Sequence, residues 1–277
     1  MAVVFFADVL GFSALSRVAN AAGAIDALTD LATMFSTRSN VARYLQAPAW
    51  RRRYGLSDSI FLVADDPAAA CAAAAEIFFN LAFYNSQTDD AVLLRGAITL
   101  GDAREIGPLF PETASANLVG EAAMRAVQLE KCGAKGPRLL VSEEVVGALP
   151  AEFTSWMLDR TAEGPAELLW PLTPDPKASE PLMVGDVCQA ATRLLLRQSQ
   201  DAEAARHLVA YVDLLARALE RLRQRNTNGA ETILAMVDFR AVRPILQSLL
   251  TDRRIPESLV LERLDTLMGN ESTGMKE

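Results

Sequence analysis

Val3-Val4-Phe5-Phe6-Ala7-Asp8-Val9-Leu10-Gly11-Phe12-Ser13-Ala14-Leu15-Ser16 is the stretch from which the rest of the chain is read. The apolar or small residues from Val3 to Ala7 predict a strand buried on both faces. Asp8 closes that run, Gly11 marks a turn, and an amphipathic helical pattern follows. A carboxylate at such a handover lies beside outward-pointing backbone N–H groups, a place suited to a metal-bound phosphate.

Downstream, Leu15, Val18, Ala22, Ile25, Leu28, Leu31 and Phe35 keep helical spacing, which predicts a helix from about Ser13 to Arg38. Trp50 to Leu56 and Ser59 to Ala64 read as the strands of a hairpin with Ser57-Asp58 at its tip. Asp66 and Pro67 have the character of an N-cap and a first helical residue, opening an alanine-rich helix to about Tyr84. Val92 to Leu100 is a fourth strand. The order β-α-β-β-α-β is the ferredoxin-like signature of an α+β fold. In this topology the first two strands run parallel, so the hairpin tip lies at the sheet edge where the first strand ends. Asp8 and Asp58 are thereby expected to converge, and two carboxylates at one edge suit a pair of divalent ions.

Asp102 to Asn117 reads as a loop, Gly120 to Lys131 as a helix with Gly133 as its stop, and Pro137 to Ser142 as a strand. Ser142-Glu143-Glu144-Val145 opens a short helix, and Met157 to Leu172 has the pattern of a terminal hairpin. Lys177 to Pro181 is expected to be a linker. From about Gly185 only helices follow, over 187–199, 201–225, 230–250 and 256–268. The expected division is a catalytic-type domain over 1–175 and a helical module over 186–277.

The 277 residues are 51% hydrophobic and 22% charged, enough for a sizeable core. A net charge of -8 with no long basic run argues against nucleic acid or an anionic membrane as partner. Cys71, Cys132 and Cys188 are widely spaced and odd in number, which predicts a reducing, cytoplasmic setting without disulfides or a zinc site. Asp8 breaks the first apolar run and no basic segment precedes it, so no secretory leader is expected. No stretch of about 18 apolar residues exists, so no membrane span is expected. The single histidine, His207, lies in a helical pattern far from the acidic motifs, which argues against histidine-based nucleophilic catalysis.

Four segments carry a family resemblance. Phe6-Ala7-Asp8-Val9-Leu10-Gly11-Phe12-Ser13 resembles the opening motif of class III nucleotide cyclases. Ser57-Asp58 and the strand after it resemble their second metal motif. Leu94-Arg95-Gly96-Ala97-Ile98 is similar to their arginine-bearing strand, and the run from Gly120 to Glu130 to their dimerisation helix. The resemblance implies that Asp8 and Asp58, with the Val9 carbonyl, hold two Mn²⁺ or Mg²⁺ ions. It further implies that the backbone from Leu10 to Ser13, with Phe12 and Ser13 as substrate-binding residues, cradles phosphates, that Arg95 holds the β,γ end, and that the sites form between the subunits of a homodimer.

Departures from the pattern bear on substrate. Tyr54 stands where purine cyclases carry a base-reading Lys or Glu, and Asn117 stands at the second base-reading position. A tyrosine there would close the space of a purine's second ring and favour a pyrimidine. The combination resembles the pyrimidine cyclases of bacterial Pycsar anti-phage systems, whose cyclic nucleotide is read by a separate effector protein. The expected substrate is UTP, giving cyclic UMP and diphosphate; CTP is the alternative. Met124 and Gln128 occupy the positions of the family's transition-state Asn and Arg, and 162–167 offers no match to its phosphate-binding Lys. Arg125 or Arg104 is the expected source of the missing charge, and an inactive nucleotide-binding module is the remaining alternative.

Overall fold

The computed structural model describes residues 1–10, 50–56, 59–86, 93–108, 117–132, 135–160, 164–172, 181–251 and 259–269. The helix expected over Ser13 to Arg38, and Phe12, Ser13 and Asp58 with it, lie outside the described residues. The chain divides into two compact units, one of residues 1–81 and 92–174 and one of residues 82–91 and 175–277.

The first unit is built on a mixed seven-stranded sheet. Its centre is β1 (Ala2–Leu10), whose residues from Ala2 to Ala7 are all buried. β1 pairs antiparallel on one side with β3 (Ser59–Ala64) and on the other with β4 (Leu93–Gly101). β2 (Arg52–Leu56) pairs antiparallel with β3, so β2 and β1 run in the same direction with β3 between them. The order β2-β3-β1-β4 is the expected ferredoxin-like arrangement.

Beyond β4 the sheet continues through β7 (Leu139–Val141), parallel to β4, and then the hairpin of β9 (Ala166–Leu168) and β8 (Leu158–Arg160). Arg138 fixes this extension, its Nε and a terminal nitrogen donating to both oxygens of the buried Glu167 at 2.7 and 2.5 Å.

Period-two alternation divides β1 between two layers. Phe5 stacks on Trp50 with ring centroids 5.6 Å apart and meets Phe78 of α1 (Pro67–Ser86) edge-on at 6.3 Å. The expected cap of α1 is present, with the Ala69 amide donating to the Asp66 side chain at 2.6 Å. On the other face, Ala2, Val4 and Phe6 pack with Val63 against Ala122, Ala123 and Ala126 of α2 (Glu121–Glu130).

The segment Asp102 to Asn117, expected to be a loop, contains strand structure at its ends. β5 (Arg104–Ile106) and β6 (Asn117–Val119) form a separate antiparallel ribbon. β6 leads into α2 through Gly120, which has φ +133° and whose missing Cβ lets the Asp102 carbonyl approach. Two short helices join β7 to β8: α3 (Glu143–Ala148), the short helix expected to open at Ser142, and α4 (Ala151–Met157), which was not expected.

The second unit is helical: α5 (Pro181–Gln198), α6 (Ala202–Arg225), α7 (Thr227–Met236), α8 (Phe239–Thr251) and α9 (Val260–Leu267). α5 begins at Pro181, in the segment expected to be a linker, because proline is pre-set for a first helical turn. The single helix expected over 230–250 is two. The first ends at Met236, and Asp238 caps the next, its side chain accepting from the Ala241 amide at 3.2 Å. No described helix is long and apolar enough to cross a membrane.

Candidate active site

Asp8 lies near the end of β1 on the face that carries Val4 and Phe6, the face covered by α2. Its cross-strand partners are Ser59 on β3 and Arg95 on β4. Directly opposed residues in a sheet share a face, with Cβ atoms about 5 Å apart, so all three side chains start from one patch. The Ser59 hydroxyl donates to Asp8 Oδ1 at 2.6 Å, fixing the carboxylate's rotamer. Asp58, the chain neighbour of Ser59, belongs to the hairpin tip outside the described residues.

The Arg95 guanidinium pairs with Glu130 at the last position of α2. This pair is the lower of two anchors between α2 and β4; the upper is the Thr99 hydroxyl, which donates to the Ala122 carbonyl at 2.7 Å. The spacings match physically. Eight helical residues from Ala122 to Glu130 rise about 12 Å, and four strand residues from Arg95 to Thr99 about 13 Å. Glu130 is completely buried, and among the described residues its Oε2 has no hydrogen-bond partner. Burial pushes its carboxyl above the ordinary value, and the Asp8 charge pushes it the same way while Arg95 opposes both.

Tyr54 sits on β2 opposite Phe61, on the same sheet face. Its hydroxyl donates to Glu105 Oε2 on β5 at 2.7 Å, and Arg52 Nε stands 3.3 Å from the same oxygen. Desolvation, with the Glu105 hydrogen bond second, pushes the phenol up to about 12. Asn117 belongs to the same ribbon but pairs with Ile106, so it occupies the ribbon face opposite Glu105 and Leu118. Its amide donates weakly to the Gly107 carbonyl at 3.4 Å. The structure therefore brings Tyr54 to the ribbon that carries Asn117 while placing Asn117 on that ribbon's other face.

Arg125 pairs with Glu144 of α3 and lies 3.6 Å from Glu121. Its guanidinium is thus engaged by two carboxylates. Arg104 is exposed beside Asp102, with 3.3 Å between them. Met124 is 62% exposed on the outer side of α2, and Gln128 shares that side.

Asp8 supplies an oxygen donor of the kind that hard divalent cations take. Among the described residues no group of three or more metal-ligating side chains occurs, and Asp8 makes no ion pair there. A half-buried carboxylate with one oxygen fixed by a hydroxyl fits the chemistry of a metal ligand.

Ser59, Glu105 and Glu130 were not singled out as functional residues from the sequence. For Glu130 a signal exists: Ala122, Ala126 and Glu130 recur at every fourth residue, placing a carboxylate on an apolar stripe. Ser59 and Glu105 become visible only through strand register.

No protein-family model and no curated protein matches the chain. Similar solved structures cover 60% of it. Adenylate cyclases from Trypanosoma brucei in their monomeric state match at 18% identity over 86% of that chain, with a TM-score of 0.42. The adenylyl cyclase CyaB from P. aeruginosa matches at 18% identity over 90% of that chain, with a TM-score of 0.43. The guanylyl cyclase Cya2 matches at 14% identity over 89% of that chain, with a TM-score of 0.44. All three are nucleotide cyclases.

Proposed function

We propose that the first unit is a class III-type pyrimidine nucleotide cyclase domain that converts UTP to 3′,5′-cyclic UMP and diphosphate. The observation that carries this reading is the registration of Asp8 with Ser59, the residue immediately after Asp58, on a ferredoxin-like sheet. When bound, two Mg²⁺ or Mn²⁺ ions supply Lewis-acid stabilisation of the attacking 3′-oxygen and the leaving diphosphate. Asp8, Asp58 and the Val9 carbonyl would hold them. The Ser59 hydroxyl orients the Asp8 carboxylate, which limits the reorganisation needed on binding. The resemblance would have Arg95, the cross-strand neighbour of Asp8, hold the β,γ end of the triphosphate, and here its guanidinium pairs with the buried Glu130. Phe12 and Ser13 belong to the expected phosphate cradle.

The ring of Tyr54 would limit the base pocket to a pyrimidine; Asn117, on the ribbon's other face, has no part in that pocket. CTP is the second substrate in this reading. A cytoplasmic homodimer with its sites between subunits is part of the same proposal. So is a signalling role in anti-phage defence, with the product read by a separate effector. Met124 and Gln128 favour one further reading, a nucleotide-binding module without turnover, because neither side chain can supply the positive charge of an arginine.

The test is incubation of the purified protein with Mn²⁺ and each ribonucleoside triphosphate separately, with products identified by mass spectrometry. Cyclic UMP that disappears in Asp8→Asn is the expected result. Cyclic AMP or cyclic GMP instead would overturn the pyrimidine assignment. Nucleotide binding without any product would put the inactive module in its place.

A further inference from the structure

Glu130 stands where physical chemistry disfavours a carboxylate on three counts. It is completely buried, one of its oxygens lacks a partner among the described residues, and it lies at the last position of α2, the negative end of the helix dipole. Its described compensation is the Arg95 guanidinium. A buried ion pair of this kind is often no more stabilising than an apolar pair of the same volume. Stability therefore gives a poor account of it, and its position gives a better one.

Arg95 is the direct cross-strand partner of Asp8, on the same face. Opposite charges in that relation attract, and an arginine side chain easily spans the roughly 5 Å between such positions. Yet among the described residues Arg95 is drawn to Glu130 and Asp8 accepts from Ser59. We propose that Glu130 is a positioning residue that holds the Arg95 guanidinium off Asp8 and so keeps the Asp8 carboxylate available to a divalent cation. The proposal rests on the metal-binding reading of Asp8 given above. Without Glu130 the arginine becomes an internal competitor for the metal ligand. Without both partners the competitor is gone.

The experiment is a double-mutant cycle read by Mn²⁺ binding alone, followed by electron paramagnetic resonance on the full chain without nucleotide. Thermal unfolding of every variant verifies the fold. Asp8→Asn is the control, and loss of Mn²⁺ binding in it establishes that the site is being measured. Glu130→Gln is expected to weaken Mn²⁺ binding by about tenfold or more, the least that an arginine beside a carboxylate does to its proton affinity. Adding Arg95→Met to Glu130→Gln is expected to restore Mn²⁺ binding to within about threefold of wild type, because double-mutant cycles isolate such coupling. A purely structural pair predicts instead that Mn²⁺ binding follows the melting temperature across the variants, with no loss of binding in a Glu130→Gln protein that is folded.

Equal Mn²⁺ affinity in Glu130→Gln and wild type overturns the proposal while leaving the metal reading intact. So does a double variant that binds as poorly as the single. Should Glu130→Gln not fold, Arg95→Met/Glu130→Leu, which removes the buried charges together, carries the test. It must bind Mn²⁺ like wild type, and weaker binding overturns the proposal. Mn²⁺ binding indifferent to Asp8→Asn overturns the proposal and the metal reading together.

Discussion

Tyr54 concentrates the question of substrate in one side chain. Its hydroxyl is committed as a donor to Glu105, so toward a ligand it offers a ring face and acceptor lone pairs. If the ring excludes purines by bulk, Tyr54→Phe keeps pyrimidine selectivity, whereas Tyr54→Ala opens the space. The ratio of kcat/KM for UTP to that for ATP is then expected to fall by about tenfold or more in Tyr54→Ala, in line with what pocket volume is worth. Unchanged selectivity in Tyr54→Ala would remove the ring from the base pocket. Asp8 was legible because it closes a strong apolar run, and Tyr54 because it stands where the resembled cyclases carry a base-reading Lys or Glu. The sequence could not reveal Glu105, a residue whose partner is 51 positions away and set by strand pairing alone.

At the scale of elements, β1 and the β2–β3 hairpin were readable because long apolar runs and turn residues bound them. The β5–β6 ribbon was not, since strands of three residues are too short to show a period. Close packing between β1 and β4 yields a prediction of its own. A Cβ added at Gly96 would stand 2.6 Å from the Phe6 carbonyl oxygen, a backbone atom that has little room to yield. Gly96→Ala is expected to cost about 1–3 kcal/mol in urea unfolding, as overpacked cores do; a smaller loss would show that β4 shifts to accommodate a methyl group.

The α2–α3 contact is electrostatic and acid-sensitive. The Arg125 hydrogen bond is the first cause that holds the Glu144 carboxyl down at about 2, against an ordinary 4.5. A carboxyl lowered on folding contributes stability above its unfolded value. That contribution fades as pH falls from about 4.5 toward 2. Wild type is expected to lose melting temperature over this window more steeply than Arg125→Met, by a small margin because Glu144 is about half exposed. Parallel melting profiles would show that the pair adds nothing in water.

At the scale of the molecule, the outer surface of the first unit carries an uncovered apolar strip. Ile106 and Val119, exposed at 38% and 40%, share the outward face of the β5–β6 ribbon with their cross-strand partners Asn117 and Arg104, and Met124 follows on α2. Apolar side chains grouped in this way on elements joined by Gly120 have the character of an interface, whereas scattered ones would need no explanation. In the proposed homodimer this strip is what a second copy covers. The buried side of α2 is already filled by Ala122, Ala123 and Ala126 against β1, so only its outer side is open to a partner. Met124→Glu places a charge at the most exposed of these apolar side chains without touching the Asp8 patch. Sedimentation at micromolar concentration is expected to show a dimer for wild type and a monomer for Met124→Glu. Cyclase activity should fall with the dimer while Mn²⁺ binding at Asp8, a property of one subunit, stays within about threefold of wild type, as is usual for a surface substitution remote from the site. A Met124→Glu protein that remains dimeric would place the subunit contact on another face.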